Sequence, residues 1–294
     1  MAMDSHIRGI DHVLIGVHDL EAAAQRWRDL GFVVTPRGRH IGWSTANVCA
    51  MLEASYVELI GMVDASAVRH DIAAFLARGE GGMGLALATD DAAGTAAFWR
   101  ARGITVHGPQ PLARRLEDAE GPVELRFANV VPEIAELGGF VVFACFHLTP
   151  ELVRRSEWLR HPNGATRLRS CTLLADPPEP ATRALTALFG EAAAVNTDHV
   201  TAFHAGGQTV VVAPLEDVRL FHPQLGEPEA SAAPRLVAVE MEVEDPTRTR
   251  RWLEAREIPF EALPDRLAVD PARAFGLALE FLAPGATRSW QRRP

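Results

Sequence analysis

The feature that most constrains this chain is a unit repeated four times. Each copy has a short apolar strand that ends at an acidic residue, then an amphipathic helix, then another strand. The copies read GIDHVLIGVHDLEAAAQRWRDLGFVV, GMGLALATDDAAGTAAFWRARGITV, LRSCTLLADPPEPATRALTALFGEAA and RLVAVEMEVEDPTRTRRWLEAREIPF. Asp19 stands twelve residues before Gly31 and Asp91 twelve before Gly103, and in both copies a Trp (Trp27, Trp99) follows the Asp by eight. Asp245 lies twelve before Glu257, and Asp176 fourteen before Gly190. An Asp at the N-cap and a Gly past the C-terminus bracket one helix of about three turns.

The spacing between anchors leaves room after each helix for about three more strands, so the unit is βαβββ. Expected strands after the first helix are Val33 to Arg37, Asn47 to Leu52 and Tyr56 to Met62. After the second they are Ile104 to His107, Glu124 to Asn129 and Phe140 to His147. The third copy offers Val200 to His204 and Gln208 to Ala213, and the fourth Arg266 to Val269 and Gly276 to Leu282. The stretch HLTPELVRRSEWLRHPNGAT, with two Pro and an Asn-Gly turn, reads as a linker. The expected class is α+β, with tandem paired βαβββ modules: one domain over 1–148, a linker over 149–165, a second, degenerate domain over 166–286 and a tail over 287–294.

Composition narrows the chemistry. All 29 basic residues in the Lys+Arg count are Arg, which excludes Schiff-base, phosphate-loop and kinase chemistry that needs an ε-amine. With Tyr56 the only tyrosine, Tyr-Lys hydride-transfer sites are excluded too. A net charge of −9 gives no general attraction to nucleic acid or an anionic membrane, so a small molecule is the expected partner. No apolar run is long enough to span a bilayer. Cys49, Cys145 and Cys171 form no CxxC and fit free buried thiols, and the start of the chain lacks the pattern of a signal peptide. The expected location is the cytoplasm, and a homodimer is possible.

The paired units, with DHV on the first strand and YVELIG on the fourth, resemble the vicinal oxygen chelate superfamily of glyoxalase I, extradiol dioxygenases and bleomycin-resistance-type proteins. Within it, Ile10 to Gly61 and FHLTPELVRRSEWLRHPNGA most resemble glyoxalase-like domain proteins. The resemblance implies that two modules curl into a half-open barrel whose concave face holds a divalent metal and a small substrate. It does not fix the reaction.

Alternation along the first strand places His12 on one face with Leu14 and Gly16, and Val13 and Ile15 on the other. Glu58 shares a face with Tyr56 and Ile60, where a carboxylate is costly unless paired, hydrogen-bonded or metal-bound. Imidazole and carboxylate together suit Zn, Ni, Mn, Co or Fe. In the superfamily pattern His12 and Glu58 stand where one module's two ligands stand; a core histidine and an Arg ion pair are the plainer readings. The corresponding first-strand positions of the other units are Gly84, Arg169 and Ala238, so a third ligand must come from elsewhere. His147 is the best offer and Cys145 a weaker one. Arg37, Arg39 and His40 form a basic loop that can hold a substrate carboxylate, with Trp43, Asn47 and Tyr56 lining the pocket. His161 reads as part of a structural turn, and Glu280 as an echo of Glu58 that can pair with Arg169.

Two functions remain open. One is a metal-dependent enzyme acting on a small oxygen-rich metabolite, a glyoxalase-like isomerase or lyase and less readily a dioxygenase, with Glu58 catalytic. The other is a metal-free binding or resistance-type protein using the same cup.

Overall fold

The computed structural model describes residues 3–63, 70–287 and 289–291; half of the tail expected over 287–294 lies outside them. Four βαβββ units follow one another. The first is β1 (Ile7–Gly16), α1 (Leu20–Asp29), β2 (Gly38–His40), β3 (Thr45–Met51) and β4 (Tyr56–Met62). A short helix α2 (His70–Leu76) leads to the second, β5 (Gly81–Thr89), α3 (Ala92–Arg100), β6 (Thr105–Leu116), β7 (Val123–Glu133) and β8 (Val141–His147). After α4 (Pro150–Val153), the third has β9 (Ala165–Leu174), α5 (Glu179–Phe189), β10 (Ala194–Asn196), β11 (Thr201–Ala205) and β12 (Gln208–Ala213). Helix α6 (Leu215–Phe221) precedes the fourth, β13 (Arg235–Val243), α7 (Pro246–Ala255), β14 (Phe260–Leu263), β15 (Arg266–Val269) and β16 (Ala278–Leu282).

Three anchor aspartates cap their helices. Asp19 accepts from the backbone of Glu21 and Ala22, Asp91 from Gly94 and Asp245 from Thr247. Asp176 does not. Pro177 and Pro178 delay α5 to Glu179, and the Asp176 carboxylate accepts from the Leu215 backbone at 3.4 Å instead. Gly31 and Gly103 take φ of 91° and 79°, the left-handed exit that the spacing required.

In the first two units the strands pair in the circular order β1-β4-β3-β2-β6-β7-β8-β5, and β5 pairs back to β1. The expected half-open cup is therefore closed on its second side by β2 against β6, through Gly38 opposite Leu116, Arg39 opposite Arg115 and His40 opposite Arg114. Two strands differ from expectation. Val33 to Arg37 is not a strand, because the Val33 amide is taken by the His161 ring and that of Thr35 by the Cys49 carbonyl. Strand β6 runs nine residues past His107, since the register shift between His107 and Gln110 accommodates Pro109 where no ladder donor is needed.

The last two units pair in the open order β10-β11-β12-β9-β13-β16-β15-β14. Among the described residues one strand pairing, Leu236 opposite Gly82, joins the two sets of strands. A single apolar cluster runs through both, with Trp27, Trp99, Leu188, Leu253 and Phe281 among its members. The helix tryptophans stitch the halves together: Trp99 Nε1 donates to the Leu188 carbonyl and Trp252 Nε1 to that of Asp29, each at 2.9 Å. The connecting segment is equally fixed, since Asn163 donates to the Leu30 carbonyl at 3.0 Å. No helix among the described residues is long and apolar enough to cross a membrane.

Candidate functional site

Alternation on β1 holds where it matters. Val13 and Ile15 enter the main core beneath the helices, while His12 and Leu14 face the interior of the strand ring. There a cavity of about 260 Å³ is lined by His12, Tyr56, Glu58 and Arg114 together with apolar side chains from β1, β4, β5 and β8.

His12 lies between two carboxylates. Its Nδ1 is 2.7 Å from Asp11 Oδ1 and its Nε2 is 3.1 Å from Glu58 Oε2, with all three residues buried. The Tyr56 ring stacks on the imidazole with centroids 4.4 Å apart, and the edge of Phe143 meets it at 5.6 Å. Asn47 donates to Glu58 Oε1 at 2.5 Å, and His40 Nε2 is 3.9 Å from the same oxygen. Burial opposes charge on His12, but the hydrogen bonds and charges of Asp11 and Glu58 outweigh it and raise the imidazole to about 9. Burial likewise works against the Glu58 anion, and His12 holds that group down at about 2. Asp11 is pulled below the usual carboxylate range by His147 and His12 against its own burial.

Asp11 was not anticipated. Strict alternation would send it to the opposite face from His12, but Ile10 pairs with Leu87 and His12 with Ala86, so Asp11 is the extra residue of a β-bulge. The bulge turns its carboxylate back toward His12 and His147. The available signal was an acid beside a histidine in an otherwise apolar strand.

His147 does not join the His12 and Glu58 pair. It stands on the far side of Asp11, with Nε2 2.8 Å from Asp11 Oδ2, because β8 ends two residues beyond Cys145 and the bulged carboxylate fills the gap. Its Nδ1 is buried without a partner. Asp11, Cys145 and His147 bring one donor atom each within 4.8 Å of one another, the one such three-residue group among the described residues. Burial and the Asp11 and Glu58 charges keep the Cys145 thiol well above its ordinary pKa, so it enters this cluster protonated.

Of the other expected residues, His40, Trp43 and Tyr56 line the cavity. Asn47 lies behind Glu58 rather than on the cavity wall. Arg37 and Arg39 are not brought to it. His40 faces inward on β2, so alternation turns its neighbour Arg39 outward, into a half-exposed ion pair with Glu117 at 2.7 Å. Arg37 precedes β2, is half-buried with its Nε out of contact with solvent, and does not line the cavity. The His161 ring accepts from the Val33 amide at 3.0 Å and donates to the Met51 carbonyl at 2.6 Å, so both nitrogens are consumed structurally.

In the second set of strands Glu280 is enclosed by protein. That carboxylate is fully buried, with His222 Nδ1 at 2.8 Å, Gln224 at 2.6 Å and Arg266 Nε at 3.0 Å. The expected Arg169 pairing is corrected: Arg169 binds Glu242 at 2.6 Å, and α6 delivers His222 to Glu280 instead.

His12 Nε2 and Glu58 Oε2 have the 3.1 Å separation of neighbouring ligands on one ion, and a carboxylate on the distal imidazole nitrogen is the usual support of a metal-binding histidine. Asp11 is met by Arg154 at 3.8 Å on its outer side, and Glu58 has Arg114 beside it in the cavity lining, while a proton on His12 or a bound cation supplies the positive charge between the two carboxylates. The second unit supplies no matching pair, since Gly84 lies opposite Val141 and Phe143 occupies the place of Glu58. The residues fit a cation as two ligands.

A closed ring of paired βαβββ units around a polar-floored cavity defines a vicinal oxygen chelate fold. A family model described as a glyoxalase-like domain matches residues 10–189, more than half of the chain, and the chain belongs to that family. No curated protein matches it. Among solved structures, a hypothetical protein from Staphylococcus aureus superposes with a TM-score of 0.67 at 10% identity, covering 93% of this chain and 98% of its own. A mutant 4-hydroxymandelate synthase from Streptomyces coelicolor gives 0.59 at 13% identity, covering 96% and 94%. A xylose isomerase-like TIM barrel/4-hydroxyphenylpyruvate dioxygenase fusion protein gives 0.58 at 10%, covering 96% of this chain and 49% of its own. At these identities the likeness concerns the fold.

Proposed function

We propose that the chain is a metal-dependent enzyme of the vicinal oxygen chelate type that moves a proton on a small oxygen-bearing substrate, in the manner of a glyoxalase-like isomerase or lyase. The observation that carries this reading is His12, held at 2.7 and 3.1 Å between two buried carboxylates at the floor of a cavity. Asp11 fixes the ring through Nδ1 and aims Nε2 at Glu58 and the cavity. Glu58, anchored by Asn47, is the group placed to take a proton from a substrate carbon and return it. Its low proton affinity at rest rises if His12 gives up its own proton, which ligation of Nε2 requires. A divalent cation on His12 and Glu58, of the set Zn, Ni, Mn, Co and Fe, would supply polarisation of a substrate oxygen. Tyr56 and Phe143 exclude water around the imidazole.

The test is solvent-deuterium incorporation into a panel of small 2-oxo and 2-hydroxy acids, followed by proton NMR with each of the five metals. Metal-stimulated exchange by the wild type, lost in Glu58→Gln, is the expected outcome. Exchange that survives in Glu58→Gln, or none with any metal, overturns the reading and leaves the metal-free binding role.

A further inference from the structure

The cup contains a buried cation, Arg114, with no anionic partner in contact among the described residues. Arg114, on β6, is 3% exposed, yet it lines the cavity beside Glu58. Its Nη1 donates to Cys49 Sγ at 3.3 Å, a weak acceptor, and its Nε is buried without a hydrogen-bond partner. Glu58 does not serve it, because Oε2 faces His12 and Oε1 accepts from Asn47. The Phe127 ring, 5.7 Å from the guanidinium carbon, adds a cation-π contact but no hydrogen-bond acceptor.

Arg266, on β15 of the other strand set, is an internal control. That guanidinium is also buried, and it meets Glu280 at 3.0 Å, Asp265 at 3.1 Å and the Phe221 carbonyl at 2.9 Å. The Nε of each arginine lacks a hydrogen bond, but Arg266 is surrounded by two carboxylates and a carbonyl, whereas Arg114, where a cavity opens, has no carboxylate in ion-pair contact among the described residues. Space is also reserved around Arg114. A Cβ on Gly38, which neighbours it across the β2 and β6 closure, would sit 2.7 Å from Arg114 Cδ and 2.4 Å from Asn47 Oδ1. Across the cavity the wall is apolar, with Leu14, Ile60, Ile72, Met83 and Val141.

We infer that Arg114 is the anion anchor of the cup and that the molecule it takes is a small carboxylate with an apolar body: the planar fork of the guanidinium binds two oxygens while the body lies against the Leu14, Ile60 and Met83 wall. This deepens the enzymatic reading of the same site by naming a substrate class, and it places the anion-binding role on Arg114 where the sequence pointed to Arg37 and Arg39.

The experiment uses phenylacetate and its neutral counterpart phenylacetamide, titrated calorimetrically into the full chain in the presence of a chelator, so that no metal contributes. Tighter binding of the acid by at least about tenfold is expected for the wild type. Arg114→Gln is expected to erase that preference. Arg114→Lys, which keeps the charge and serves if the Gln variant does not fold, is expected to retain a preference at reduced affinity. Equal binding of acid and amide by the wild type, binding of neither, an undiminished preference in Arg114→Gln or no preference in Arg114→Lys would each overturn the assignment. Because the titration is metal-free and Glu58 is intact, its failure leaves the deuterium-exchange result standing, and loss of exchange leaves this result standing.

Discussion

Raising the pH of the chelator-treated protein from 6 to 9.5 removes the proton that His12 shares with its two carboxylates. An unfolded histidine titrates near 6.5, and in the fold His12 is raised to about 9. Between those values the folded state binds the proton and the unfolded state does not, so stability falls as pH rises, and the contribution is complete below 6.5 and gone above 9. A shift of that size corresponds to about 3 kcal/mol, a large part of the margin of a typical domain. Glu58 acts at the other end: lowered from 4.5 to about 2, it contributes stability above 4.5 that is lost as pH falls toward 2. Urea unfolding at half-unit pH steps, for the wild type and His12→Gln, measures the difference directly. The wild type is expected to lose about 3 kcal/mol more than the variant across the alkaline window. Parallel pH profiles would show that His12 is not held as a cation between Asp11 and Glu58.

Asp11→Asn should lower the His12 titration point from about 9 toward the ordinary 6.5, read from the imidazole resonances by NMR; an unmoved pKa would leave the bulged carboxylate without an electrostatic role. His161→Ala removes two buried hydrogen bonds to the backbone of Val33 and Met51. It should cost about 2 to 4 kcal/mol in denaturant melts while phenylacetate affinity in the surviving folded protein stays the same. Gly38→Ala should lose the preference for the acid over the amide, since the new methyl meets Arg114 and Asn47 at sub-van der Waals distances.

The four-unit plan was legible because it rests on local rules, capping aspartates, left-handed glycines and strands with one apolar face. It failed locally at Asp176, where two prolines displace the helix start and the carboxylate binds elsewhere. His12 and Glu58 were legible for the same reason: a polar group on an apolar face must be satisfied. Asp11 and Arg114 were not, and the reasons differ. A bulge changes which face a residue occupies, and nothing in the residue types of β1 marks where it falls. Arg114 was hidden because Pro109 and Pro111 argue for ending β6 early; its alternation with Leu112 and Leu116 was the signal that the strand continues with that face inward. The closure of β2 on β6 pairs segments more than seventy residues apart, which local pattern does not encode, and that closure set His40 beside Arg114 and turned Arg39 away. His147 pointed the right way along β8 and met the bulged carboxylate first.

We propose that the first ring of strands holds a cation on His12 and Glu58. Isothermal titration of Zn, Ni, Mn, Co and Fe(II) into chelator-stripped protein, in buffers of different ionisation enthalpy, tests it together with the proton that His12 must release. For at least one metal, one bound equivalent with proton release near pH 7 is expected, abolished in Glu58→Gln and unchanged in Glu280→Gln. Binding that persists in Glu58→Gln and disappears in Glu280→Gln would place the site in the other half of the molecule, and no binding of any of the five would contradict the claim outright.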